Sequence, residues 1–159
     1  MRISIVDWTH QFLMQYVKEG DICIDATVGN GGDMLFLARL VGEQGSVTGF
    51  DIQQIALDHT REKLEQHGVN GTLYLDSHAN MAEYFEPESV AAIVFNLGYL
   101  PGGDHKLATK GDSTIQAIEA GLSLLKKGGV ISLCIYSGGD SGFEEKEAVL
   151  AYLKELDHR

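Results

Sequence analysis

With 159 residues, a net charge of −11, 44% hydrophobic and 22% charged residues, the chain has the size of one domain, 1–159, with a substantial core. No apolar run approaches the roughly 18 residues of a membrane span. An acidic surface repels phosphate backbones over about 8 Å at physiological salt, which weighs against broad nucleic-acid binding.

The start, Met1 to Asp7, lacks an apolar h-region and a small-residue cleavage site, so the expected compartment is the cytoplasm. Thr9 to Lys18 reads as a helix with Phe12, Leu13 and Tyr16 on one stripe, ended by Gly20. Ile22 to Ile24 is a short apolar strand. It runs into Asp25-Ala26-Thr27-Val28-Gly29-Asn30-Gly31-Gly32-Asp33 and then a helix from Asp33 to Val41, so the glycines occupy a strand-to-helix turn where backbone can approach a ligand closely. A second strand, Ser46 to Phe50, is followed by Asp51, about 20 residues past the glycines, where a nucleoside-binding fold places the carboxylate for ribose hydroxyls.

Further elements are a helix from Gln54 to His67, a strand from Thr72 to Leu75, a short helix around Asn80 to Phe85, and Val90 to Phe95, an apolar run that reads as a strand buried on both faces. A long loop from Asn96 to about Gly111 has the length of a functional connection. A helix from Ser113 to Lys126 carries Ile115, Ile118, Leu122 and Leu125 on one stripe, Gly128-Gly129 stops it, and Val130 to Tyr136 is the fifth strand. Ser141-Gly142-Phe143-Glu144 has the pattern of a capping box before a last helix.

This alternation implies an α/β, doubly wound, mainly parallel sheet of order 3-2-1-4-5. Asp25, Asp51, Asp76 and Asn96 then share the carboxyl edge and define a crevice. Cys23 and Cys134 fall on strands separated by another, so both thiols are expected to be free. His59, His67 and His158 lack metal-ligand spacing, and no metal site is expected.

Two details argue against a nicotinamide or flavin dinucleotide. The third glycine of G-x-G-x-x-G is replaced by Met34, and Asp25 and Asp33 bracket a turn that a pyrophosphate prefers free of negative charge. Carboxylates suit a cation. S-adenosylmethionine, with its ammonium and sulfonium charges, fits the turn, and its ribose fits Asp51. No Gly-Lys-Ser/Thr follows, which excludes a P-loop.

With that turn, Asp51-Ile52-Gln53, Asp76-Ser77-His78 and Asn96-Leu97-Gly98-Tyr99-Leu100-Pro101-Gly102-Gly103-Asp104 together, the chain resembles the small class I S-adenosylmethionine-dependent methyltransferases labelled rRNA methylases. A tRNA wobble-uridine role is assigned in that family, the methylation of 5-aminomethyl-2-thiouridine to 5-methylaminomethyl-2-thiouridine. The resemblance implies a Rossmann-like fold and tRNA as substrate. It implies that Thr27, Gly29, Asn30, Gly31, Gly32 and Asp33 hold the methionine moiety with Asp25 behind them. Asp51 would take the ribose, Ile52 and Gln53 would pack on adenine and ribose, and Ser77 and His78 would sit at the adenine edge, with Asp76 a weaker candidate. Asn96 resembles the first residue of the Asn-Pro-Pro-Tyr motif of amino-methylating enzymes and would orient the acceptor amine. Tyr99 would stack on the base, and Asp104, His105 or Asp112 would receive the proton. Lys106 and Lys110 would meet phosphates. His10 borders the site in this reading, although a lone histidine on an amphipathic helix is usually structural.

Relatives usually close the sheet with an antiparallel pair after the fifth strand's helix. The sequence stops at Arg159, so the expectation is a truncated chain or an edge completed by a partner, and a homodimer is an expected assembly. Ser137-Gly138-Gly139-Asp140 stands where relatives are expected to carry a Pro-Gly-His type loop, and no role is carried over to it. Two other functions stay open: methylation of rRNA or a small-molecule amine, and a cofactor-binding module without turnover.

Overall fold

The computed structural model describes residues 5–97 and 111–135. In chain order these form α1 (Ile5–Met14), β1 (Ile22–Asp25), α2 (Gly32–Val41), β2 (Ser46–Asp51), α3 (Gln54–Gln66), β3 (Thr72–Leu75), a 3-10 helix (His78–Tyr84), β4 (Val90–Leu97), α4 (Gly111–Leu124) and β5 (Leu125–Ile135). The sheet is five-stranded, its order is β3-β2-β1-β4-β5, and its strand pairs are parallel. This is the predicted order. The capping box at 141–144, the loop at 137–140 and the residues from Gly98 to Lys110, including Tyr99, Asp104, His105, Lys106 and Lys110, lie outside the described residues.

Strand periodicity divides the core. Cys23, Ala92 and Val94 turn to the face covered by Leu13, Met34, Leu37, Leu57 and Leu64, while Ile24, Ile93 and Phe95 turn to the face covered by Met81, Ala117, Ile118 and Leu124. Both faces of β4 are buried from Val90 to Phe95, as its unbroken apolar run predicts. Cys23 and Cys134 are free and buried on β1 and β5, with β4 between them. Among the described residues, no helix is long and apolar enough to cross a membrane.

Three expectations are corrected. The first helix begins by Ile5 and ends at Met14; of its expected stripe Leu13 is buried and Phe12 packs partly buried on the same core, but Tyr16 lies exposed beyond the helix, and Thr9 and Val17 complete the buried side. Phe12 stacks on Trp8 and tilts against Tyr16, and those two partners are exposed. Of the stripe expected on the fourth helix, Ile118 is buried and Ile115 and Leu125 pack against the core beside Thr114, Ala117 and Leu124, but Leu122 is exposed. This helix stops two residues early because Leu125 already pairs with Val90; regular pairing resumes at Val130 after an irregularity that contains Gly128 at φ 84°. Finally, Asn96 is not in a loop. It extends β4 and pairs with Cys134.

The missing third glycine has a structural substitute. Met34 of α2 lies fully buried over Gly49 of β2, where a Cβ would collide with Val28 Cγ2 and come within 2.9 Å of Met34 Sδ. Close helix-on-strand approach is thus secured from the strand. Gly49→Ala is expected to cost about 1–3 kcal/mol by overpacking, a fall in Tm of about 2–12 °C. Thermal unfolding checks this, and Val28→Ala in the same chain should show a destabilisation less than additive.

Candidate active site

The carboxyl edge is built around the turn between β1 and α2. Gly29 and Gly31 adopt positive φ, 55° and 84°, which only glycine takes without strain. A Cβ on Gly31 would lie 2.5 Å from Thr60 Oγ1, so α3 presses directly on the turn. Asn30 closes it from both ends: its Oδ1 accepts from the Gly32 amide at 3.0 Å, and its backbone oxygen accepts from Lys63 Nζ at 2.8 Å. Its side chain therefore shapes the turn.

Three carboxylates surround this cradle. Asp25 is fully buried, Oδ1 accepts from the Thr27 amide at 3.1 Å, and Oδ2 has no partner among the described residues. Burial first, then the charges of Asp33 and Asp51, raise its pKa well above the ordinary carboxylate value, against the pull of the Thr27 amide. Asp51 Oδ2 accepts from Gly29 N at 3.1 Å and Oδ1 from Gln53 N at 2.9 Å. Burial raises its pKa too, and those amides oppose the shift. The field of this pocket favours a cation over an anion.

Asp33, in the first turn of α2, uses both oxygens. Oδ1 takes His10 Nε2 at 2.7 Å, and Oδ2 takes the Asn96 Nδ2 amide in a short hydrogen bond. The Asn96 backbone amide donates to Thr27 Oγ1 at 2.6 Å. The end of β4 and the glycine turn are therefore one site, and His10 belongs to it. Its ring lies flat on Phe36, with centroids 3.8 Å apart and planes within 4°.

The family model described as "Putative rRNA methylase" matches residues 47–159. The chain belongs to the rRNA methylase family. As a member of this methyltransferase family it is 38% identical, over 95% of its length, to the "tRNA (mnm(5)s(2)U34)-methyltransferase, chloroplastic" of Arabidopsis thaliana, and it spans 59% of that protein. Its fold matches a crystal structure named "putative rRNA-methylase" from Clostridium thermocellum with TM-score 0.91 and 48% identity, covering 97% of this chain and 83% of the other. A "putative methyltransferase" from Streptococcus mutans, solved in complex with SAH, gives TM-score 0.86 and 40% identity over 99% and 85%. The Rossmann-like architecture is shared throughout.

In this rRNA methylase-family chain the structure gathers Asp25, Thr27, Gly29, Asn30, Gly31, Gly32, Asp33, Asp51 and Asn96. Ile52 is 42% exposed beside the buried Gln53, which precedes α3. Ser77 Oγ accepts from Ala79 N at 3.1 Å and so begins the 3-10 helix, while Asp76 accepts from Asn80, Tyr84 and the Ser77 amide. Those hydrogen bonds hold the Asp76 carboxyl below its usual range. His78 turns inward: it is 5% exposed, its ring packs on Phe95, and neither nitrogen has a hydrogen-bond partner among the described residues. Sequence reasoning undervalued His10, because its partner lies 23 positions away and no local pattern announces the pair.

Proposed function

We propose that this chain binds S-adenosylmethionine and methylates an RNA amine, the 5-aminomethyl group of a tRNA wobble 2-thiouridine, giving 5-methylaminomethyl-2-thiouridine. The observation that carries the reading is the linkage of Asn96 to both Thr27 and Asp33 of the glycine turn. It sets an amide of the amino-methylating kind beside a pocket whose carboxylates favour a cationic ligand. Support for the cofactor comes from the SAH complex of the Streptococcus mutans relative, and support for the acceptor from the name of the Arabidopsis relative. The proposal assumes the cytoplasm as compartment.

The residues fit the cofactor. Thr27, Gly29, Gly31, Gly32 and Asp33 would hold the methionine end, Asp25 would neutralise its positive charge from below, and Asp51 would take the ribose. When bound, the cofactor would supply a methyl on a sulfonium sulfur to the amine lone pair, the N–C bond forming as the C–S bond breaks with its electrons left on sulfur. No oxyanion hole is called for in such a transfer, and the residues contribute chiefly orientation. Asn96 would accept from the amine N–H and aim its lone pair. The amine must shed a proton before attack, and Asp104, His105 or Asp112 would receive it; Tyr99 would stack on the base.

Methyl-labelled S-adenosylmethionine and tRNA from cells lacking this modification test the reading. The expected result is label in the wobble nucleoside. Tyr99→Ala is expected to lower transfer about 10-fold or more, the scale of a lost base stack, without changing cofactor affinity. Label confined to rRNA or a small amine, or cofactor binding with no transfer, would sink it.

A further inference from the structure

Within that proposed reaction, Asn96 can aim an amine only if its amide faces the right way. A primary amide has two nearly isosteric ends, one that accepts and one that donates, and nothing in β4 itself distinguishes them. The distinction comes from Asp33. Its carboxylate oxygen is an acceptor, so it takes Nδ2 and leaves Oδ1, which has no hydrogen bond among the described residues, to accept from a substrate N–H. Asp33 must in turn be held edge-on to Asn96, and its other oxygen is held by His10 Nε2 at 2.7 Å. The pair is sheltered, with side chains 21% and 12% exposed. The histidine plane is set by stacking on Phe36, which lies one turn beyond Asp33 on α2. His10 comes from α1, Asp33 from α2 and Asn96 from β4, so the chain of contacts ties three elements together.

We propose that His10 is a positioning residue: through its hydrogen bond to Asp33 it fixes the orientation of the Asn96 amide toward the acceptor nitrogen. This rests on the methyl-transfer reading above, but the two are separable. His10 supplies two things, a ring that stacks on Phe36 and an N–H that binds Asp33. His10→Phe keeps the first and removes the second. His10→Gln loses the stack but presents an amide N–H at similar reach.

In single-turnover and steady-state assays with tRNA, His10→Phe is expected to lower kcat about 10- to 100-fold, the scale of an acceptor left about 1 Å out of place. KM for tRNA should stay near the wild-type value, and His10→Gln should recover a substantial part of kcat. A role in packing alone would instead make His10→Phe, which keeps the stack on Phe36, the milder variant in kcat. A second arm needs no acceptor: the side-chain NH2 resonances of Asn96 in 15N spectra should be resolved and slowly exchanging in the wild type, and should shift and exchange faster in His10→Phe. An unchanged kcat, a failure of His10→Gln to recover it, or identical Asn96 resonances in both proteins would overturn the role of His10. If wild-type protein leaves tRNA unlabelled, the functional reading fails, and the spectra still decide whether His10 orients Asn96.

Discussion

Asp51→Ala is expected to raise the dissociation constant for S-adenosylmethionine by about 100-fold or more in a calorimetric titration. The carboxylate sits at the end of β2, and it clamps the glycine turn through the Gly29 amide and the start of α3 through the Gln53 amide. Hydrogen bonds to a charged group contribute about 1.5–3 kcal/mol each. Alanine removes the clamp on Gly29, whose positive φ has to be maintained for the turn to present its amides, and removes the proposed ribose acceptor with it. Asp51→Asn should recover little, because one end of the amide would point a donor at a backbone N–H that already donates. A dissociation constant within about threefold of wild type for Asp51→Ala would place the ribose elsewhere.

The strands and their order were legible because β1, β2 and β3 are short runs set between glycine or an acid, β4 is an unbroken apolar run, and strand-helix alternation with right-handed crossovers allows few sheets. Asp25 and Asp51 were legible for the same reason: they are the first polar residues after such runs. Helix faces were harder. Along α1 and the turn after it two stripes compete at the same spacing, Thr9-Leu13-Val17 and Trp8-Phe12-Tyr16; the first is buried, while in the second Phe12 packs on the core and Trp8 and Tyr16 are exposed. What periodicity cannot supply is contact across the chain. Asp33 meets Asn96 from 63 positions away, and Gly49 makes room for Met34 where the familiar glycine spacing in the turn fails. Both facts depend on how α2 is laid over β1 and β2, which is a property of the packed sheet and not of any window of sequence.

His78 carries a large expected effect of pH on stability. Its ring is buried against Phe95, and burial pushes its pKa from 6.5 down to about 4; the Ala26 backbone lies close enough to oppose this weakly without completing a hydrogen bond. The unfolded chain therefore binds a proton at His78 more readily than the folded one. Stability from this group is intact above about pH 6.5 and is lost as pH falls toward 4, by about 3 kcal/mol in all. Asp25 and Asp51 act in the opposite sense. Their raised values mean that they cost stability at neutral pH, and protonation relieves that cost as the solution is acidified. A wild-type pH curve thus mixes opposing slopes, and the difference between His78→Leu and wild type separates them. That difference should be flat above pH 7 and should grow in favour of the variant by about 3 kcal/mol between pH 7 and pH 4, a relative gain in Tm of roughly 6–12 °C. Urea unfolding at stepped pH measures it. A difference that stays constant with pH would mean that His78 titrates alike in both states, and that its two unpartnered nitrogens find solvent or a ligand in the folded protein.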